Sequence, residues 1–213
     1  MKETKRFLDG IIRKDQYEVL RSVADKFGNT PEAQFGCKGN RYITTDREGY
    51  VTRMLISNFS MRNFYQPPTN KRKFEVPNQL THLQTFNYDC DSGLGELVIP
   101  DECNVVEEVS SVNGSLEKLQ LPKELGRLKT LRCFGNSLVE LHLKTAENLE
   151  NLEIHGNRIS GLYLPQSMPN LRLVRWHGNP LPKPILDQLE RYCPGCSADA
   201  IPMNMFERAL RGL

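Results

Sequence analysis

One spacing governs what this chain can fold into. The frame Leu-x-x-Leu-x-Cys/Ile/Trp-x-x-Asn-x-Leu/Ile runs through Leu128, Leu131, Cys133, Asn136 and Leu138, then through Leu149, Leu152, Ile154, Asn157 and Ile159. It returns a third time at Leu171, Val174, Trp176, Asn179 and Leu181. The starts at 128, 149 and 171 lie 21 and 22 residues apart, within the window of about 20 to 29 residues typical of short solenoid repeats. A unit this short cannot bury its own apolar edge, so equivalent positions must pile on the next coil and share one continuous core. The asparagine is the polar letter of an otherwise apolar frame. It is expected to turn inward and satisfy backbone groups of the neighbouring coil that would otherwise be buried and unpaired.

Degenerate copies extend the frame upstream, at Val106, Val109, Ser111 and Leu116 and at Leu83, Phe86, Tyr88, Asp91 and Leu94. In the first of these, Gly114 occupies the asparagine place and Asn113 falls one position early. A sixth strand is expected in "GYVTRMLISNF", where Val51, Met54, Ile56 and Phe59 keep the spacing. Each copy has a second half, Leu-x-x-Leu-x-Leu, at Leu94/Leu97/Ile99, Leu116/Leu119/Leu121, Leu138/Leu141/Leu143 and Ile159/Leu162/Leu164. This half is expected to form a short extended segment on the opposite wall of the coil.

On these residues, 74 to 182 resemble leucine-rich repeat proteins. "LRCFGNSLVELHL" is similar to the bacterial variety of the repeat, whereas "VPNQLTHLQTF" and "LPKELGRLKTL" resemble the plant-type Pro-x-x-Leu-x-x-Leu-x-x-Leu pattern. The resemblance implies an α/β fold: a curved solenoid with a parallel β-sheet on its concave face, helical caps at both ends, and recognition of a protein ligand. It implies no particular reaction, because a fold supplies architecture more than function. The expected organisation is an N-terminal helical cap over 1–50, repeats over 51–182 and a C-terminal helical cap over 183–213.

The ends fit that plan. Asp15 and Glu18 make a capping-box-like start, and Leu20, Val23, Ala24 and Phe27 recur at helical spacing until Gly28-Asn29, which predicts a helix from about Asp15 to Phe27. The segments "DQYEVLRSVADKFGN" and "ITTDREGYVTRMLISNFSM" are similar to the N-terminal caps of bacterial plant-like repeat proteins, although the tryptophans usual there are lacking. At the other end, Ile185, Leu186, Leu189 and Tyr192 predict an amphipathic helix after a proline-rich stop. "IPMNMFERALRGL" adds a candidate second helix, with Met203, Met205 and Phe206 read as packing residues.

Composition narrows the partners. The 28 basic and 26 acidic side chains leave a formal charge of +2, so no global field favours nucleic acid or an anionic membrane. Lys71-Arg72-Lys73 is the only dense basic cluster and is read as a solvated loop. No stretch approaches the roughly 18 apolar residues of a membrane span. The first residues carry no secretory pattern, so the expected setting is cytoplasmic and the six cysteines are read as reduced thiols.

Few motifs carry chemistry. Cys193-Pro194-Gly195-Cys196 is a CxxC, the weak candidate for a redox pair, half of a metal site or a structural disulfide. A second CxxC is missing. "DCDSG" around Cys90 weakly resembles the nucleophile motif of bacterial effector ubiquitin ligases, but it falls inside a repeat. No phosphate loop, nucleophile elbow or close pair of metal ligands is present, and no cofactor is expected.

Alternation along each strand sends the intervening residues outward in columns. The first reads Thr85, Glu108, Thr130, Asn151, Leu173, the second Asn87, Ser110, Arg132, Glu153, Arg175, and the third Asp89, Val112, Phe134, His155, His177. Neighbours within a column stand about 4.8 Å apart, the strand spacing. Arg132, Glu153 and Arg175 are therefore expected to form a charge ladder flanked by Phe134, His155 and His177, with Glu140 and Lys118 on the far wall. Arginine and aromatic residues dominate binding hot spots, so these six form the expected partner-binding patch of a non-enzymatic recognition module. The alternative from another class is a thiol redox or metal-binding protein using Cys193 and Cys196.

Overall fold

The computed structural model describes residues 3–7, 10–25, 43–57, 71–89, 93–194 and 196, and among these residues it forms fourteen short strands, two α-helices and one 3-10 turn. An antiparallel hairpin, β1 (Thr4–Phe7) and β2 (Gly10–Arg13), leads directly into helix α1 (Lys14–Asp25). Strand β3 (Ile43–Thr45) then pairs antiparallel with β4 (Val51–Ser57). From β4 onward every pairing among the described residues is parallel, and the chain winds as a β-solenoid of about five turns.

The front sheet holds seven strands in the order β14-β12-β10-β8-β6-β4-β3. Its repeat members are β6 (Thr85–Asp89), β8 (Glu108–Ser110), β10 (Thr130–Arg132), β12 (Asn151–Glu153) and β14 (Leu173–Arg175). Their register follows the frame: Thr85 faces Glu108, which faces Thr130, then Asn151, then Leu173, steps of 23, 22, 21 and 22 residues. The first coil is longer, since Arg53 faces Thr85 across 32 residues. The back wall is built from β5 (Arg72–Glu75), β7 (Leu94–Val98) and β9 (Lys118–Gln120), followed by a separate pair, β11 (Glu140–His142) and β13 (Gly161–Tyr163).

The two walls enclose one core. Leu83, Leu97, Leu128, Leu131, Leu141, Leu149 and Leu152 are fully buried, and each contributes about 1.5 to 3 kcal/mol by leaving water. Phe74 begins the stack, with ring centroids 6.0 Å from Phe86 and 5.3 Å from Tyr88.

Asparagine and glycine close the coils. Asn157 Oδ1 accepts from Leu138 N at 3.0 Å, while Nδ2 donates to Cys133 O at 2.8 Å and Ile154 O at 3.0 Å. Asn136 makes the same bonds to Leu116 N, Ser111 O and Cys133 O, and Asn179 to Ile159 N, Ile154 O and Trp176 O. The expected inward turn of these side chains is thus realised. Just before each asparagine the backbone is left-handed, at Gly135, Gly156 and Gly178 (φ +65°, +64° and +71°). Gly178 leaves only 3.3 Å between an added Cβ and the Gly156 nitrogen, so the coils stack backbone on backbone. The swapped "Asn113-Gly114" is resolved by this geometry: Asn113 takes the left-handed place, φ 53°, which asparagine tolerates better than most residues.

Several expectations about the ends change. Helix α1 begins at Lys14, with Leu20, Val23 and Ala24 buried as expected, and the Asp15 carboxylate receives the Arg13 guanidinium at 3.1 Å. Buried Gln16 ties α1 to the first coil, donating to Gln79 O at 3.1 Å and accepting from Val51 N at 3.3 Å. The segment expected to be a helical cap also carries β1, β2 and β3, whose short alternation is too brief to stand out in sequence. Lys71-Arg72-Lys73 is not a loop, because Arg72 and Lys73 open strand β5. Its charges are solvated and paired, Lys71 with Glu117 and Lys73 with Glu75 and Glu96. Helix α2 (Lys183–Tyr192) forms where expected, with Pro184 in its first turn. Phe27, Phe59, Cys90, Asp91 and the candidate helix with Met203, Met205 and Phe206 lie outside the described residues.

Candidate functional site

The front sheet aligns its outward columns as the register dictates, so Arg132, Glu153 and Arg175 stand side by side on β10, β12 and β14. Glu153 is the hub. Its side chain is 9% exposed, and it accepts from Arg132 Nε at 3.0 Å and from Arg175 Nη1 at 2.8 Å. Arg132 also reaches diagonally to Glu108, donating from Nη1 at 2.7 Å. The result is an alternating ladder, Glu108–Arg132–Glu153–Arg175, across four consecutive strands. Glu108 belongs to a different outward column from Arg132, and reading columns alone missed this contact. The signal that finds it is the diagonal neighbour rule for sheets, which brings long side chains within reach across columns.

Beside the ladder, Phe134, His155 and His177 stack ring on ring. Phe134 and His155 centroids are 4.5 Å apart at 9°, and His155 and His177 are 4.6 Å apart at 19°. Strand spacing sets this: side chains on adjacent parallel strands lie about 4.8 Å apart, close to ring-stacking distance. All three are half-buried, because each covers its neighbour's face and leaves an edge to solvent. The three rings and the three charged side chains of the ladder, all six candidate residues, are therefore brought together as the sequence spacing expects. The two imidazoles lie face to face and do not converge on a point, and among the described residues no group of three or more potential metal ligands exists.

Although strand alternation sends Arg132 and Arg175 outward, both satisfy a buried carboxylate and so contribute to the fold. Glu153→Gln is accordingly expected to lower stability by about 1 to 2 kcal/mol, since it strips the only ion-pair partner of Arg175 among the described residues and weakens a charge-assisted pair. Chemical denaturation would measure it, and an unshifted midpoint would mean that Glu153 merely separates two solvated arginines.

The cysteines divide into two kinds. Cys103 and Cys133 are buried and free, and burial pushes both thiols up to about 12, which removes them from nucleophilic chemistry near neutral pH. Cys193 and Cys196 are joined in a disulfide with Cα atoms 5.4 Å apart. The sequence reading has all cysteines reduced, whereas here the end of α2 brings this pair within bridging distance. Cys193 caps the C-terminal end of the helix, where the partial negative charge of the dipole disfavours a thiolate.

The described residues thus define a parallel β-solenoid that presents a laddered front face. No family model matches the chain, and no curated protein or solved structure is significantly similar to it. No helix among the described residues is long and apolar enough to cross a membrane.

Proposed function

We propose that the chain is a leucine-rich-repeat recognition module, with helical caps over 1–50 and 183–213 and repeats over 51–182, that binds a protein partner through its front sheet without catalysing a reaction. Support for the repeat type comes from the three inward asparagines, each bonded to backbone groups of the adjoining coil. One observation carries the binding reading: two guanidinium groups and three stacked rings, tied by ion pairs and ring contacts, gather on and just past three neighbouring strands. Preorganised arginine and aromatic side chains lose little entropy on association, and such groups dominate interface energies. The near-neutral charge and the ladder's own neutralisation argue against a nucleic-acid partner. A cytoplasmic setting remains part of the proposal, with Cys193–Cys196 as the pair that a reducing compartment would open.

The rival reading, a thiol redox or metal-binding role for Cys193 and Cys196, has their pairing in its favour. Its setting at a helix C-terminus works against a reactive thiolate. The two readings separate in a photo-crosslinking experiment in the source cell. A crosslinker at Phe134 or His177 is expected to capture one discrete protein, and one at Val139, exposed beside β11, is expected to capture none. Capture from Val139 alone would move recognition off the front sheet.

A further inference from the structure

Among the described residues, the back wall is interrupted between β9 and β11. Between β7 and β9 the coils are stitched by Ile99 N donating to Gln120 O at 2.9 Å, and between β11 and β13 by Leu143 N donating to Tyr163 O at 2.8 Å. The equivalent bond from Leu121 N to His142 O is not formed, and β9 and β11 belong to separate sheets. The coils stay joined above the gap, where Ser137 N donates to Leu116 O at 2.8 Å. Below it, the Thr145 hydroxyl donates to Lys123 O at 2.6 Å and accepts from Leu125 N at 3.1 Å. His142, at the side of the opening, stacks on Tyr163 with centroids 4.4 Å apart. The opening is therefore framed by bonds on two sides rather than being a frayed edge.

It leaves a groove of about 370 Å³, within the range of about 300 to 1,000 Å³ that holds small ligands. Its floor is apolar. Leu119 and Leu121 lie there half-buried, beside buried Pro122 and Leu125, although Leu97 and Leu141, at the place of Leu119 in adjoining coils, are fully buried. The rim is unevenly charged. Glu96 is held by Lys73 at 3.6 Å and Lys123 by Asp101 at 2.9 Å, while Glu140 lies 3.6 Å from the His142 ring and pairs with it only when that ring is protonated. Lys118 and Lys144 also line the groove, outside any ion pair within 4 Å, although Lys118 feels the charge of neighbouring Glu117 and Lys144 Nζ lies 5.5 Å from the Tyr163 ring centroid. Their ammonium groups and the open Leu121 N–H favour an anionic acceptor over an apolar floor.

We propose that this groove binds a small monocarboxylate with an apolar chain, the chain lying on Leu119, Leu121 and Leu125 and the carboxylate at the Lys118 and Lys144 rim. The site is separate from the front sheet and does not depend on what that sheet recognises. A hydrophobic floor supplies contact area, and the lysines select the charge.

The test titrates octanoate, octylammonium and octanol separately into the full chain, following backbone amide signals by NMR. Octanoate is expected to give saturable shifts at Leu119, Leu121 and Thr145, with the other two weaker by about tenfold or more, the scale of one charge-assisted hydrogen bond. The exposed double variant Lys118→Glu/Lys144→Glu is expected to fold unchanged and lose octanoate by a similar factor. Equal binding of the three amphiphiles, retained affinity in the double variant, or no saturable shift at these amides would overturn the proposal.

Discussion

Asn157→Ala is expected to destabilise the protein by about 2 to 3 kcal/mol, the cost of leaving buried backbone groups without partners. The side chain is 5% exposed and bonds Leu138 N and Cys133 O of the preceding coil as well as Ile154 O of its own. Alanine reaches none of these groups, which would be left buried without their partners. For a chain of this size the midpoint of thermal unfolding should fall by about 4 to 12 °C. Asn179→Ala, at the half-buried last coil, should cost less. Calorimetry of the two variants checks both the size and the order, and an unchanged curve for Asn157→Ala would remove asparagine from the role of closing the coils.

Removing residues 183–213 should have the other large effect, converting a dispersed protein into an aggregating one. Helix α2 packs Leu189, fully buried, with Ile185, Leu186 and Tyr192 against the last coil. Tyr192 Oη donates to Pro165 O at 2.7 Å, and Gln188 Nε2 donates to the same oxygen at 3.3 Å. Without this cover, Trp176 and Leu181, each 8% exposed now, would face water beside the open edge of β14. Solenoids rely on their ends for solubility in this way. Light scattering decides the matter, and a monodisperse truncated protein would mean that the segment is a tail.

The repeat core was legible because its constraint is periodic. Coil stacking forces Leu131, Leu152 and Val174 into one column and Asn136, Asn157 and Asn179 into another, so a count of residues recovers both the front-sheet register and the asparagine bonds. The six candidate residues follow from the same count. What the count could not reveal is aperiodic. The β1–β2 hairpin consists of two strands of four residues each, and it leaves no repeating pattern. The diagonal Arg132–Glu108 pair depends on side-chain length, not on strand alternation. The break between β9 and β11 is invisible as well, because Leu119 and Leu121 fit the frame as well as any copy. Its cause lies in local bonding, where Thr145 holds the lower corner and His142 turns toward Tyr163.

Recognition of a protein by the front sheet is tested most directly by the affinity of a captured partner for paired variants. Arg132 and Arg175 are poor first choices, since both hold Glu153. Phe134→Ala/His177→Ala removes ring surface without touching the ion ladder, and exposed Glu124→Ala/Glu147→Ala serves as the control. Isothermal titration should show a loss of about 2 kcal/mol or more for the ring variant, as for hot-spot residues, and a change within about 0.5 kcal/mol for the control, as for ordinary surface sites. Equal losses from both variants, or full affinity in the ring variant, would contradict recognition through this face.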